Sequence, residues 1–240
     1  MKNLMFVLAT LLMLNSCTKL DDSGLIGIKG EGPVLEFTVE PGTFDGIRLE
    51  TSGEVYLTDG DEASVTVFAQ ENIFENMDIR VEDKLLYISN DKLVRKSEKV
   101  RIYISRQAIA RLALAGSGDI FVEGAYSFQN LDLDLSGSGD VQVESATANN
   151  VNTTLSGSGN VSINGKALTQ HILIEGSGDV LAFGLETEST TVKIKRSGKA
   201  EVWATENLVV DINGSGDVIY KGTPAIQQHI TGSGNLSKAP

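Results

Sequence analysis

Leu135 to Val143 reads LSGSGDVQV, and twenty residues later Leu155 to Ile163 reads LSGSGNVSI. The same Gly-Ser-Gly-Asp/Asn block also begins at Gly116, Gly176, Gly214 and Gly232. Two worn copies align with these six: Arg196-Ser197-Gly198-Lys199 and Thr51-Ser52-Gly53-Glu54. Around the blocks the flanking residues fall into columns. Two residues ahead stand Leu49, Leu114, Leu135, Leu155, Ile174, Ile194, Ile212 and Ile230. Just behind stand Val55, Ile120, Val141, Val161, Val180, Ala200, Val218 and Leu236. A third column, two further on, runs Leu57, Val122, Val143, Ile163, Ala182, Val202 and Tyr220, with polar residues between the columns.

Alternation with a period of two is the mark of a strand, and an apolar column that returns every ~20 residues means that successive units stack in register. Helical repeats need a 3.6-residue period, which is absent, and the L-x-x-L-x-L spacing of leucine-rich repeats does not occur. These observations predict an all-β chain, a solenoid of ~20-residue coils over residues 112–240, each strand pairing in parallel with its equivalent one turn on. Glycine on both sides of the serine suits a corner where φ is positive or where a Cβ would clash. Residues 34–111 alternate too, in VLEFTVE, ASVTVFA, MDIRVED and KVRIYIS, with a short helical turn near Asn72 to Asn76. They are expected to be an irregular N-terminal β region continuous with the coils, forming one domain over 34–240 and covering one open end of the core.

The first residues carry one lysine, an apolar run from Leu4 to Leu14, and then Leu14-Asn15-Ser16-Cys17, with the only cysteine of the chain. The run is too short to span a bilayer and reads as a signal peptide over residues 1–16. The tetrapeptide resembles the bacterial lipobox, which assigns Cys17 to lipidation and anchors the mature chain to a membrane. Residues 17–33, polar and glycine-rich, read as a flexible tether, and Asp21-Asp22 behind Lys19 suits export to the outer membrane. Without residues 1–16 the chain keeps 19 basic against 32 acidic side chains, a surface that repels nucleic acid.

Four constellations could carry chemistry. The acids that close each block, above all the neighbours Asp119 and Asp140, are candidate calcium ligands. Asn160, Lys199 and Asn235 interrupt their column, however, and the nine-residue calcium repeat has another spacing. Capping of backbone amides is the simpler use of Asp and Asn at a turn, so no metal is expected. The serines would need a positioned base to act as nucleophiles, and the chain has only His171 and His229, both next to inward isoleucines and so facing solvent. Glycine-rich loops hold phosphate at a helix N-terminus, but these join strand to strand. The single tryptophan, Trp203, lies beside the inward Val202 on the degenerate turn, and with Arg196 and Lys199 it forms the expected ligand-contact patch.

The run FDGIRLETSGEVYLTDGDEASVTVFAQENIFENMDIRVEDKLLYIS, then VRIYIS, LALAGSGDIFV and the serial GSGD blocks, resembles the family described as putative auto-transporter adhesin, head GIN domain. The resemblance covers roughly residues 35–236. It implies a secreted or lipid-anchored bacterial protein with a right-handed parallel β-helix-like fold, and it brings no catalytic residues or cofactor. The function expected is that of a non-enzymatic envelope module that binds a glycan or protein surface. A carbohydrate-active enzyme on the same scaffold and a purely structural envelope protein are the alternatives.

Overall fold

The computed structural model describes residues 27–60 and 63–240. Among them the chain forms, in order, β1 (Ile28–Lys29), β2 (Val34–Val39), β3 (Gly46–Leu49), β4 (Glu54–Thr58), β5 (Ser64–Gln70), the helical turn α1 (Glu71–Phe74), β6 (Met77–Glu82), β7 (Leu85–Asn90), β8 (Val94–Lys96), β9 (Arg101–Ser105) and β10 (Arg111–Leu114). Five long strands follow, β11 (Asp119–Leu135), β12 (Val141–Leu155), β13 (Val161–Ile174), β14 (Val180–Ile194) and β15 (Lys199–Gly214), and then the shorter β16 (Asp217–Lys221), β17 (Ala225–Gly232) and β18 (Asn235–Lys238).

From β10 onward the chain is the expected parallel β-solenoid. Ile120 pairs with Val141, Val141 with Val161, and so on through Val180, Ala200, Val218 and Leu236. Leu114, Leu135, Leu155, Ile174, Ile194, Ile212 and Ile230 pair in the same way. The sequence columns are therefore rows of side chains along one axis. Each long strand runs on through a bend, where the register slips, between Val122 and Ala125 in β11 and between Val143 and Ala146 in β12. A coil thus has three sides: one after the corner, a middle side, and one before the next corner.

The inward rows form one continuous core. On the middle side the first coil contributes Tyr126 and Phe128, stacked with centroids 4.4 Å apart. The next two contribute only small residues, Ala146 and Ala148 and then Gly165 and Ala167, before Leu185 and Thr187 of β14, so the bulk of the middle side is concentrated in the first coil and in β14. The Tyr126 hydroxyl donates to the Arg106 carbonyl, and burial pushes its phenol up to about 12. Polar side chains interrupt the inward rows at Thr153, Gln170, Thr187 and Thr190. Gln170, fully buried between Val151 and Thr190, has no hydrogen-bond partner for either amide atom.

At the corners, glycine is required more often by close contact than by a positive φ. Gly116, Gly118, Gly137, Gly139, Gly157, Gly159, Gly176 and Gly178 are not among the positive-φ residues. A Cβ on Gly139 would lie 1.7 Å from the Gly118 carbonyl oxygen, and one on Gly159 would lie 1.8 Å from that of Gly139. Each corner rests on the backbone of the corner below, with the Ser138 amide donating to the Gly116 carbonyl and the Ser158 amide to that of Gly137. At these eight positions contact between coils excludes the side chain, whereas the last two corners also require a positive φ, at Gly214 (151°) and Gly232 (118°).

The N-terminal region joins the same sheet out of chain order. β3 lies between β7 and β10, and β4 lies between β9 and β11. The coil of residues 46–58 is therefore directly beneath that of residues 111–122, and the intervening chain loops out to add another coil below. Antiparallel strands close this end: β6 along β7, β5 along β9, and β2 along β5. Phe74 of α1 stacks on Phe37 of β2 at 4.0 Å. The lower end of the core is thus covered by short antiparallel strands.

Cys17 and the signal-peptide span lie outside the described residues, as does most of the expected tether. Its last part is attached to the body. Ile28 and Lys29 pair with Val94 and Lys96, the Gly30 amide donates to the Lys96 carbonyl, and Gln70 Nε2 donates to the Gly32 carbonyl. Backbone pairing to the β8 edge holds residues that composition alone marks as linker.

Candidate functional site

The acid column turns out to be a ladder of backbone caps. Asp119 Oδ1 accepts the amide of Asp140 at 2.9 Å, Asp140 Oδ1 accepts that of Asn160 at 2.8 Å, Asn160 Oδ1 that of Asp179 at 3.1 Å, and Asp179 Oδ1 that of Lys199 at 2.9 Å. The amides belong to the next coil, some twenty residues on, where sequence reasoning places them within the same turn. Asp119 and Asp140 are occupied in this way, and among the described residues no three His, Cys, Asp or Glu side chains gather as a metal site. The serine hydroxyls lie along the outside of the corner, with Ser233 donating to Ser215 at 3.1 Å. His171 and His229 are exposed, as expected, on the side before the corner.

The outer surface differs from side to side. Before the corner, the outward rows are Asp132, Asn152, His171, Thr191, Val209 and Gln227, and beside them Asp134, Thr154, Leu173, Lys193, Asp211 and His229. These rows contain no Phe, Tyr or Trp, and some of their side chains pair with each other, as Asn152 does in donating to Asp132 at 2.8 Å and Lys193 in pairing with Asp211 at 3.5 Å. After the corner, the outward positions carry the aromatics. Tyr103, Tyr56 and Phe121, from β9, β4 and β11, form a stack with centroids 4.9 and 5.1 Å apart and planes within 20°. Phe68 meets Tyr103 edge-on at 5.6 Å. Flat rings touch at about 3.5–4 Å, so these rings are offset like shingles and leave part of each face outward. Tyr56 donates to Glu54 at 2.9 Å, and Lys99 and Arg101 flank the same carboxylate. Burial works to raise the Glu54 carboxyl, but the bonds from Lys99 and Tyr56 and the two cationic charges outweigh it and hold it below its ordinary value.

Farther up the same side lie Phe183 of β14, Trp203 of β15 and Lys221 of β16. The Lys221 ammonium is 4.0 Å from the centre of the Trp203 ring and 5.9 Å from that of Phe183. Trp203 points outward, half-buried. Its expected companions are elsewhere. Lys199, Glu201 and Trp203 follow at two-residue spacings along β15, so Lys199 begins about 13 Å from Trp203, and its ammonium pairs with Glu201 at 2.9 Å. That pairing raises the pKa of Lys199. Arg196 is exposed in the corner. The cation brought to Trp203 is thus Lys221, one coil on. The apolar columns report only what points inward, so they are silent on the aromatic stack and on Phe183. The positions between them, YLT after Val55 and FVE after Ile120, carried the signal.

A shallow groove of about 460 Å³ follows the bend between the middle side and the side before the corner, lined by Phe128, Ala148, Leu168, Lys166 and Glu186 among others. The Lys166–Glu186 pair at 3.4 Å spans it.

Solved structures share this architecture. A putative adhesin from Bacteroides fragilis is 26% identical, with a TM-score of 0.85 over 89% of this chain and 100% of that one. A putative lipid binding protein from Parabacteroides distasonis is 22% identical, with a TM-score of 0.74 over 89% and 99%. A putative adhesin from Parabacteroides merdae is 20% identical, with a TM-score of 0.72 over 89% and 99%. No curated protein matches the chain. Residues 43–224, which hold all but the last of the corners, match one family throughout, and the chain belongs to that family, described as "putative auto-transporter adhesin, head GIN domain".

Proposed function

We propose that the protein is a cell-envelope lipoprotein, anchored through Cys17 at the outer membrane, that binds a glycan or protein surface with the side of the solenoid that follows the corner and does not transform it. The observation that carries this reading is the contrast between the two outer surfaces. One is mostly polar, with some of its side chains paired across coils; the other presents offset rings bordered by charged groups. Binding surfaces combine aromatic faces with a few fixed polar groups, and a sugar ring offers both an apolar face and a hydroxyl edge. The family, and the Bacteroides fragilis structure named a "putative adhesin", support a binding role. The carboxylates of the corner ladder are committed to backbone amides, which leaves them poor candidates for acid–base work.

The test is binding of the purified chain to a glycan panel and to envelope proteins, with and without EDTA. Saturable binding without turnover, indifferent to EDTA, is expected. Trp203→Ala weakens it about ten-fold, or 1.4 kcal/mol, and leaves the thermal midpoint almost unchanged because the ring lies outside the core. Turnover of any glycan, or unchanged affinity in the variant, overturns the proposal.

A further inference from the structure

Five of the 20 basic side chains fall in the ten residues from Lys92 to Arg101, against the single acid Glu98. Lys99 and Arg101 are taken up by Glu54. Lys92 and Lys96 belong to β8 and the turn before it, the edge to which the first described residues attach. There Lys29 pairs with Lys96 across two parallel strands, and the Ile28 amide donates to the Leu93 carbonyl at 2.9 Å. Like charges directly opposite in a sheet are destabilising. Both ammonium groups are exposed, and among the described residues neither has a carboxylate partner. Beside them Leu93 is 68% exposed, more than any other large apolar side chain described. Among the described residues, lysines without a carboxylate partner around an exposed leucine make a cationic, partly apolar patch on a chain of net charge −12, the complement of an anionic surface with an apolar layer beneath.

We infer that this end of the molecule, through Lys29, Lys92, Leu93 and Lys96, docks on an anionic phospholipid surface, with Leu93 entering the headgroup layer. The inference rests on the lipoprotein reading. Cys17 is ten residues before Gly27, so an acylated Cys17 holds the Leu93 edge within about 33–36 Å of the bilayer even when the chain between is fully extended. Each lysine near an anionic leaflet strengthens binding about five-fold. Three of them do not overcome the repulsion of an acidic protein free in solution, but they orient one already tethered. Charges more than a Debye length, about 8–10 Å, from the surface are screened, so the acidic coils farther up the axis do not cancel the attraction. Docked in this way, the axis points away from the membrane and the Trp203 region stands on the far coils.

Because Cys17 is the only cysteine, the chain from Cys17 to Pro240 can be coupled through it to a maleimide-bearing lipid in vesicles of phosphatidylcholine alone or mixed with phosphatidylglycerol. Amide hydrogen exchange at residues 28–30 and 92–96 is then compared. Exchange is expected to slow several-fold on the anionic vesicles, to recover at high salt, and to recover in Lys29→Glu/Lys96→Glu. Leu93→Ser loses part of the protection while its circular dichroism stays that of the parent. Equal exchange on both lipids overturns the inference. The anchor is read separately, by intact mass of the protein recovered from the envelope. An unmodified Cys17 together with protection on anionic vesicles overturns the lipoprotein reading and leaves the docking surface standing. An acylated Cys17 without that protection overturns the surface alone.

Discussion

Gly139 occupies a position at which one methyl group decides whether two coils can touch. A Cβ there meets the Gly118 carbonyl oxygen at 1.7 Å, and the obstacle is backbone, which cannot swing aside. Gly139→Ala is therefore expected to cost about 3 kcal/mol or more, measured by denaturant unfolding. Ser138→Ala, one residue away and exposed, stays within about 0.5 kcal/mol. Equal costs for the two would show that conformation, and not stacking, selects glycine. The same scale explains why a lysine is tolerated in the acid ladder. Lys199 receives the Asp179 cap through its own amide and turns its side chain to Glu201, and the ladder resumes where Asp217 accepts the Asn235 amide at 3.0 Å. The glycine, serine and acid positions were all legible in the sequence. What stacks on what was not, because a repeat states its period and leaves open which atoms of neighbouring copies meet.

At the scale of the strand, period-two alternation placed the inward rows correctly on the two sides next to each corner. The largest polar exception is in β13, where Gln170 takes an inward position held by Leu131, Val151 and Leu208 in other coils and by Thr190 in β14. An amide buried with neither atom bonded sacrifices its hydration without compensation. Gln170→Leu is expected to stabilise the protein by about 1–2 kcal/mol, seen as a raised denaturation midpoint at unchanged m-value. Destabilisation would mean that a buried water serves the amide. The middle side was harder to read from sequence, since bends within the long strands shift the register between Ala182 and Glu186 and again between Thr187 and Ser189. A slip of one residue exchanges inside for outside.

Taken as a whole, the molecule has two unlike ends. Antiparallel strands close the lower one, whereas β17 and β18 are the last of the parallel stack, and nearly every residue of β17 is exposed. In a stack where each unit holds only its neighbours, the uncovered end opens most readily. Native-state hydrogen exchange should therefore be fastest in residues 225–238 and slow progressively toward β11 and β12; uniform exchange from β11 to β18 would contradict it. By itself the sequence determined the coil length, the parallel stacking and the inward rows, because a motif that returns every twenty residues with alternating polarity can bury its apolar face only against its own copies. Tertiary structure alone decided that residues 85–105 lie beyond residues 46–58 in the stack, that Trp203 meets Lys221, and that Lys29 faces Lys96. Each of these depends on how far the chain loops out before it returns, and closing a loop costs so little more with each added residue that local pattern does not constrain the distance.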